Sequence, residues 1–160
     1  MTARLDTTTQ SPQLFRKFGE ISMALKKSSL EHPLQALVEI RASQINGCTF
    51  CLDMHVKQAT LQGEKPLRLH HVAGWRESTL FSPRERAALA WTEALTTLSP
   101  QGVSDELYRQ VRGEFSEQEI TELTYAVMVI NGWNRLNVAF RTPPGVLDQA
   151  YGLDKAGLAV

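Results

Sequence analysis

Apolar residues recur along this chain at intervals of three and four positions, the spacing that places side chains on one face of an α-helix. The stretch after residue 11, for example, carries Leu14, Phe15, Phe18, Ile21, Met23 and Leu25. We find no convincing alternation of apolar and polar residues, which would indicate a half-buried strand, and no internal repeat. The pattern therefore predicts an all-α protein.

Prolines, serines and glycines mark where these helices begin and end. Proline is tolerated at the first helical position, and Pro33 and Pro66 each stand at the start of an apolar-periodic segment. Ser82 to Glu85 predict a capping box, with Ser104 and Ser116 as two further N-caps. About seven helices result: one through Leu14 to Leu25, then 33–45, 48–62 and 66–71, one after Ser82, one after Ser104, and 117–140.

The last of these helices is predicted to lie inside the fold or a subunit interface, because it is apolar almost all round between Ala126 and Ile130. Asn131, Asn134 and Asn137 form a polar stripe along it, and a buried amide must be hydrogen-bonded. Two roles stay open for the stripe: it satisfies neighbouring backbone or a subunit contact, or it lines a functional site. The tail from residue 146 is expected to pack against a partner.

Length and charge limit the possible functions. The 160 residues suffice for one domain, predicted as residues 12–160 after a flexible arm at residues 1–11. Because 17 acidic residues balance 17 basic ones, we expect no surface for nucleic acid or anionic membranes. No apolar stretch has the length of a signal peptide or a membrane span. The expected location is the cytoplasm.

The only two cysteines lie together in the segment Asn46-Gly47-Cys48-Thr49-Phe50-Cys51-Leu52-Asp53-Met54-His55. On a helix Cys48, Cys51 and His55 would share one narrow face, and an imidazole one turn from a thiol can accept its proton. The Asn-Gly pair predicts a break from which a new helix starts, so its positive end lies near the sulfurs. Both effects lower the pKa of a thiol. The segment therefore predicts a redox-active thiol site.

The segment allows comparison with three other kinds of site. The cysteines could be small apolar core residues and His55 a structural histidine. A zinc site would need four ligands, and only the distant His70 and His71 could complete one. Haem attachment requires a histidine directly after the second cysteine, where Leu52 stands. We therefore expect no metal and no bound cofactor.

The same segment, extended to Arg41-Ala42-Ser43-Gln44-Ile45-Asn46-Gly47-Cys48, closely resembles the core motif of the alkylhydroperoxidase AhpD-like, carboxymuconolactone decarboxylase family. Two further blocks, at 85–96 and 131–141, are similar to its single-domain members. The resemblance implies a helical fold that assembles into trimers or hexamers. The apolar stretch at 126–130 and the aromatic residues support an oligomer, because they are much apolar surface for one domain to bury: Trp75, Phe81, Trp91, Trp133 and Phe140.

The resemblance also implies peroxidase chemistry. By the motif, Cys51 is the peroxidatic thiol, Cys48 the resolving thiol and His55 the base. From the residues alone the choice stays open, because the helix N-terminus favours thiolate at Cys48 and the imidazole favours it at Cys51. The substrate would be an organic hydroperoxide or hydrogen peroxide, and an external dithiol, for example of the lipoyl type, would reopen the Cys48–Cys51 disulfide.

The chain departs from the family pattern at the proton relay. The founding peroxidase has a glutamate where Ala36 stands and a histidine where Phe50 stands. Glu39, one turn after Ala36, is our candidate for the relay carboxylate, and Glu93 is a second candidate. Two other functions stay open: a general thiol-disulfide oxidoreductase or redox sensor, and a carboxymuconolactone decarboxylase-like lyase, which does not need a CxxC pair.

Overall fold

The computed structural model describes residues 2–158, and within that range it is all-helical, as predicted. The nine α-helices of the described residues are α1 Thr7–Gln10, α2 Pro12–Leu25, α3 His32–Ile45, α4 Thr49–Leu61, α5 Pro66–His71, α6 Pro83–Thr96, α7 Asp105–Arg112, α8 Glu117–Phe140 and α9 Asp148–Tyr151. Two 3₁₀ turns lie at Val72–Gly74 and Leu153–Ala156. None of these helices combines the length and the apolar character needed to cross a lipid bilayer.

The predicted helix starts are confirmed at atomic detail. The hydroxyls of Ser82 and Ser116 each accept the backbone N–H three residues on, while Glu85 and Glu119 reach back to the N-cap N–H. Ser104 caps α7 in the same way through its hydroxyl. These caps satisfy N–H groups that a helix otherwise leaves unpaired, so they fix where α6, α7 and α8 begin.

Within the predicted N-terminal arm, residues 7–10 form one helical turn that Asp6 caps. The backbone N–H of Arg4 donates to the carbonyl of Phe140, 2.8 Å away, which ties this segment to the end of α8. The flexibility of the arm stays a prediction. Met1 of the arm and residues 159–160 of the predicted domain lie outside the described residues.

Helix α3 lies between two groups of buried side chains. One side packs against α6, α7 and α8 through Leu34, Val38, Ala88, Val111, Leu123 and Val127. The other side packs against α4 and the 72–75 turn through Leu37, Ile40, Ala59, Val72 and Trp75. Helix α3 is therefore covered on both sides and is a central element of the fold.

The apolar stretch of α8 is buried as predicted at Ala126, Val127, Val129 and Ile130, and only Met128 of that stretch is exposed. Val127 and Ile130 face the core, but Tyr125 and Met128 are 52% and 58% exposed. Helix α2 crosses it at Gly132, where the ring of Phe18 occupies the space that a Cβ would need. The exposed apolar side chains of α8 are thus Tyr125 and Met128, on the side away from the core.

The C-terminal segment 142–156, here called the strap, folds back over α4 of its own chain. The predicted packing of this tail against a partner stays a prediction. Lys57 is 2% exposed, and its ammonium donates to Asp148 of the strap at 2.7 Å and to Asp53 at 2.9 Å. The backbone N–H of Gly145 also donates to Asp53, at 3.2 Å. Leu153 of the strap is buried. A buried, paired lysine thus anchors the strap.

Candidate active site

The thiol segment lies at the turn between α3 and α4. Asn46 ends α3, Gly47 takes a positive φ of 65°, and Cys48 is the extended N-cap of α4. Glycine adopts that conformation without the strain that a Cβ introduces, so two residues reverse the chain. The predicted break is confirmed. Helix α4 begins one residue later than predicted, because Cys48 is its N-cap, yet the sulfur of Cys48 still lies beside that of Cys51.

The two sulfurs form a disulfide in this structure, across a Cα–Cα distance of 5.4 Å. The Sγ of Cys48 also accepts the backbone N–H of Cys51 at 3.3 Å, which is the N-cap bond of α4. Both cysteines are buried, at 2% and 1% exposure. Apolar side chains pack around them, namely Ala42, Phe50, Met54, Ile130 and Leu147. Leu147 belongs to the strap. A reactant therefore reaches the sulfurs only if a neighbouring side chain or the strap moves.

His55 lies one turn beyond Cys51 on α4 and is oriented by two oxygens. Its Nδ1 is 3.0 Å from Oε2 of Glu39 and 3.0 Å from Oε1 of Gln58. A carboxylate can only accept, so Nδ1 carries the proton and donates it. No hydrogen bond to Nε2 is found among residues 2–158. The ring nitrogen that can accept a proton is therefore Nε2.

Glu39 is held in its ionised form by this contact. Burial alone would raise the pKa of Glu39, but the charge of and hydrogen bond to His55, with a smaller effect of Lys26, bring that pKa below its usual value. A carboxylate behind an imidazole fixes the tautomer and stabilises the imidazolium that forms when the ring takes up a proton. Of the two carboxylates proposed from the sequence, Glu39 is the one placed at His55.

Glu93 lies elsewhere, in a cluster that joins α3, α6 and the 72–75 turn. It accepts from Arg41 at 2.6 Å, from the indole N–H of Trp75 at 2.9 Å and from Arg76. Burial would raise the pKa of Glu93, but these three donors lower it below its usual value. With its oxygens occupied in this way, Glu93 is a structural carboxylate.

The asparagine stripe serves both of the roles that the sequence left open. Asn46 donates through Nδ2 to Oδ1 of Asn131 and of Asn134, each at 2.9 Å. Asn134 in turn donates to the hydroxyl of Ser43 at 3.0 Å. These bonds lock the turn that carries Cys48 onto α8. Asn137, at the end of the stripe, reaches the site itself.

Sequence reasoning missed two contributors. Gln58, which shares the Nδ1 of His55 with Glu39, could have been found because it lies one turn beyond His55 on the same helix. Asn46 was interpreted only as a helix break, since no local signal says that its amide meets two asparagines far along the chain.

A cavity of about 90 Å³ opens beside Glu39. Its walls are Lys26, His32, Gln35, Ala36, Glu39, Gln58 and Gln62. The small side chain of Ala36, at the position where the family pattern expects a glutamate, leaves this space free. The polar walls and the volume suit a few water molecules next to Glu39.

The histidines considered for zinc lie apart from the thiols. His71 hydrogen-bonds the hydroxyl of Ser78 at 3.0 Å, and both His70 and His71 belong to α5. Within residues 2–158, no group of three or more His, Cys, Asp or Glu side chains is arranged to hold a metal ion.

Comparison with known proteins identifies the family. The carboxymuconolactone decarboxylase family matches residues 11–94. The chain is 34% identical to the uncharacterized protein YdfG of Bacillus subtilis over 139 residues, which are 87% of this chain and 95% of YdfG.

Solved structures show the same fold. A protein of unknown function from Agrobacterium tumefaciens, named as a candidate antioxidant defence protein AhpD, is 36% identical and superimposes with a TM-score of 0.87 over 91% of this chain and 99% of its own. The debrominase Bmp8 is 22% identical, with a TM-score of 0.79 over 94% and 80% of the two chains, and supports the fold alone. The resemblance predicted from the sequence is confirmed, and the chain belongs to the carboxymuconolactone decarboxylase family.

Proposed function

We propose that this protein is a thiol-dependent hydroperoxide reductase that uses the Cys48–Cys51 pair. The observation that carries the proposal is the position of His55, one helical turn from Cys51, with Nδ1 held by an ionised Glu39. An imidazole oriented in this way can take the proton of a thiol through its other nitrogen. The candidate antioxidant defence protein from Agrobacterium tumefaciens, similar over nearly its whole length, supports the same class of chemistry.

The proposed reaction consumes one hydroperoxide and two thiols. His55 takes the proton of the Cys51 thiol, and the thiolate attacks the hydroperoxide oxygen farther from the alkyl group. The O–O bond breaks, the alkoxide receives the proton from His55 and leaves as alcohol, and Cys51 becomes a sulfenic acid. Cys48 then attacks that sulfur, hydroxide leaves as water with the remaining proton, and the disulfide forms. Hydrogen peroxide reacts in the same way and yields water.

Recycling requires two electrons from outside the chain. An external dithiol, for example of the lipoyl type, would attack one sulfur, pass through a mixed disulfide and release both cysteines as thiols. The proposed setting is the cytoplasm, where such donors keep thiols reduced. Because Leu147 of the strap packs against the buried group that contains both cysteines, we expect the donor to reach the sulfurs when the strap or a neighbouring side chain moves.

One observation favours a second function, a general thiol-disulfide oxidoreductase or redox sensor. Cys48 is the N-cap of α4, and its sulfur accepts a backbone N–H. A helix N-terminus stabilises a thiolate there, as in CxxC exchange proteins. In that case electrons would pass between dithiols without consuming peroxide. A lyase reaction is less well supported, because it gives no role to the two adjacent cysteines.

The test is consumption of an organic hydroperoxide with dihydrolipoamide as the electron donor. The proposal predicts turnover by the unchanged protein, none by Cys51→Ser, and a rate at least about tenfold lower for His55→Ala, which loses the base but keeps a good helix former. Asp154→Asn, an exposed change in the strap, is the matched control and should match the unchanged protein. Exchange between dithiols and disulfides without peroxide turnover would instead establish the second function.

A further inference from the structure

Asn137 is the one stripe asparagine that contacts a sulfur. Its Nδ2 lies 3.6 Å from Sγ of Cys51, a distance at which an amide N–H donates to sulfur. The same nitrogen donates to the carbonyl of Trp133 at 2.9 Å. An amide group has two N–H bonds, so one can serve each acceptor.

The carbonyl of Trp133 settles which way the amide of Asn137 faces. If the amide were turned over, its oxygen would face the oxygen of that carbonyl, and both would lack a proton to share. The NH₂ group therefore points toward Cys51, and the side chain is held in place before any reaction occurs.

The two sulfurs receive different help from the fold. Cys48 accepts a backbone N–H at the start of α4, which favours its thiolate. Cys51, inside the first turn, has His55 one turn away and an amide donor from α8. A hydrogen bond to a thiolate stabilises it more than the same bond to a thiol, because the acceptor is charged.

We propose that Asn137 selects Cys51 as the attacking sulfur by donating a hydrogen bond to its thiolate from the neighbouring helix. The proposal rests on the peroxidase function proposed above. It assigns to α8 a direct part in the chemistry, in addition to holding the α3–α4 turn. The sulfenic acid formed at Cys51 would stay under the same donor while Cys48 approaches it.

The charged side chains around the site have polar partners other than the sulfurs. They are Glu39 on α3, Asp53, His55 and Lys57 on α4, Arg135 on α8 and Asp148 on the strap. Lys57 binds both aspartates, His55 binds Glu39, and Arg135 donates to Asn131. Within the described residues none of them hydrogen-bonds Sγ of Cys51. Asn137 is therefore the polar side chain whose change acts most directly on that sulfur.

The test measures the Cys51 thiol alone, in a Cys48→Ser background, by thiolate absorbance and by the pH dependence of iodoacetamide alkylation. Asn137→Leu removes the donor, and Asn137→Asp replaces it with an isosteric carboxylate that repels the thiolate. We expect the pKa of Cys51 to rise by about one unit in the first variant and further in the second. Val138→Ala, an exposed change on the same turn, should leave it unchanged.

The order of the two variants separates a direct role from a packing role, because aspartate preserves the shape of asparagine. An unchanged or lower pKa in a folded Asn137→Asp protein would overturn the proposal, and that variant suffices if Asn137→Leu does not fold. Neither readout needs peroxide. If the pKa of Cys51 rises in both variants but the protein consumes no peroxide, the hydrogen bond from Asn137 is supported and the peroxidase function is rejected. Failure of the hydrogen-bond proposal and failure of the proposed function therefore give different results.

Discussion

At the scale of single residues, two carboxylates that the sequence could not separate have different surroundings. Glu39 meets an imidazole beside the thiols, whereas Glu93 meets two guanidinium groups and an indole. Their substitutions should therefore differ in their effects on activity.

Glu39→Gln should slow the reaction with hydroperoxide at least about tenfold, because the neutral amide no longer stabilises the His55 imidazolium. Glu93→Gln should leave that rate unchanged and lower the free energy of unfolding by about 2 kcal/mol, since it weakens charged hydrogen bonds of a largely buried carboxylate. Stopped-flow rates and urea unfolding give both quantities. The reverse pattern, a slow Glu93→Gln and a normal Glu39→Gln, would remove Glu39 from the mechanism.

The lowered pKa of Glu39 also predicts how stability depends on pH. The pKa of Glu39 is lower in the folded protein than in the unfolded chain. Its ionised form therefore contributes stability above the unfolded pKa, and this contribution is lost as the pH falls through the folded pKa. Glu39→Gln should therefore lose less stability on acidification below about pH 4.5 than the unchanged protein. Urea unfolding at neutral and acidic pH measures this difference, and parallel curves would contradict it.

The sequence indicated which residues form the candidate site better than it indicated which of them contact one another. Cys48, Cys51 and His55 follow from spacing, and their local geometry obeys helix rules that act over four residues. The pairings of Glu39 with His55 and of Asn137 with Cys51 depend on how separate helices pack, so no local pattern contains them. Cys48 is the N-cap of α4 and not a residue within it, because capping, a local effect, determines where the helix begins.

At the scale of elements, the strap and its buried lysine are the part that the sequence could not supply. A lysine on a helix is expected in water, yet Lys57 lies inside because Asp53 and Asp148 meet its charge on both sides. The helices with capping boxes were predicted closely, since their signals are local. The two four-residue helices α1 and α9 were not predicted, because helices so short depend on tertiary contacts.

Lys57→Met should loosen the strap, because it leaves two carboxylates facing each other without a cation. Removing one partner of a buried ion pair costs about 3–5 kcal/mol, which favours opening by more than about tenfold. The buried group around the Cys48–Cys51 disulfide includes Leu147 of the strap, so the disulfide should then be reduced by dithiothreitol at least about tenfold faster. Lys155→Met, an exposed change in the same segment, is the matched control.

Equal reduction rates in Lys57→Met and Lys155→Met would mean that the strap does not limit access to the sulfurs. A global loss of structure would also speed reduction, so circular dichroism and the unfolding midpoint must accompany the rates. A folded Lys57→Met protein with fast reduction is the expected combination.

At the scale of the whole molecule, the apolar surface bears on assembly. Trp75, Phe81 and Trp91, which the sequence suggested as interface residues, are buried within the chain itself. The apolar side chains that stay exposed include Leu14 and Met23 of α2 and Tyr125 and Met128 of α8. The three buried aromatic residues are thus not available to a subunit interface, and the predicted homo-oligomer depends on apolar side chains that stay exposed.

We predict a homo-oligomer, a trimer or a hexamer as the family resemblance implies, that covers the exposed side chains of α8. Light scattering coupled to size-exclusion chromatography should give a mass several times the chain mass of 17.9 kDa. Tyr125→Glu with Met128→Glu should reduce that mass, because buried charges oppose association. A single species of one chain at micromolar concentration would contradict the prediction.

The most direct measurement of the central claim is the site of oxidation by one equivalent of an organic hydroperoxide. In a Cys48→Ser protein, where no resolving thiol is present, we predict a sulfenic acid at Cys51 that dimedone labels and mass spectrometry locates. Adding Asn137→Asp should slow its formation. The opposite result is labelling of Cys48 in a Cys51→Ser protein while Cys51 stays unlabelled in Cys48→Ser. That result would contradict the assignment of Cys51 and make Cys48, the N-cap of α4, the attacking residue.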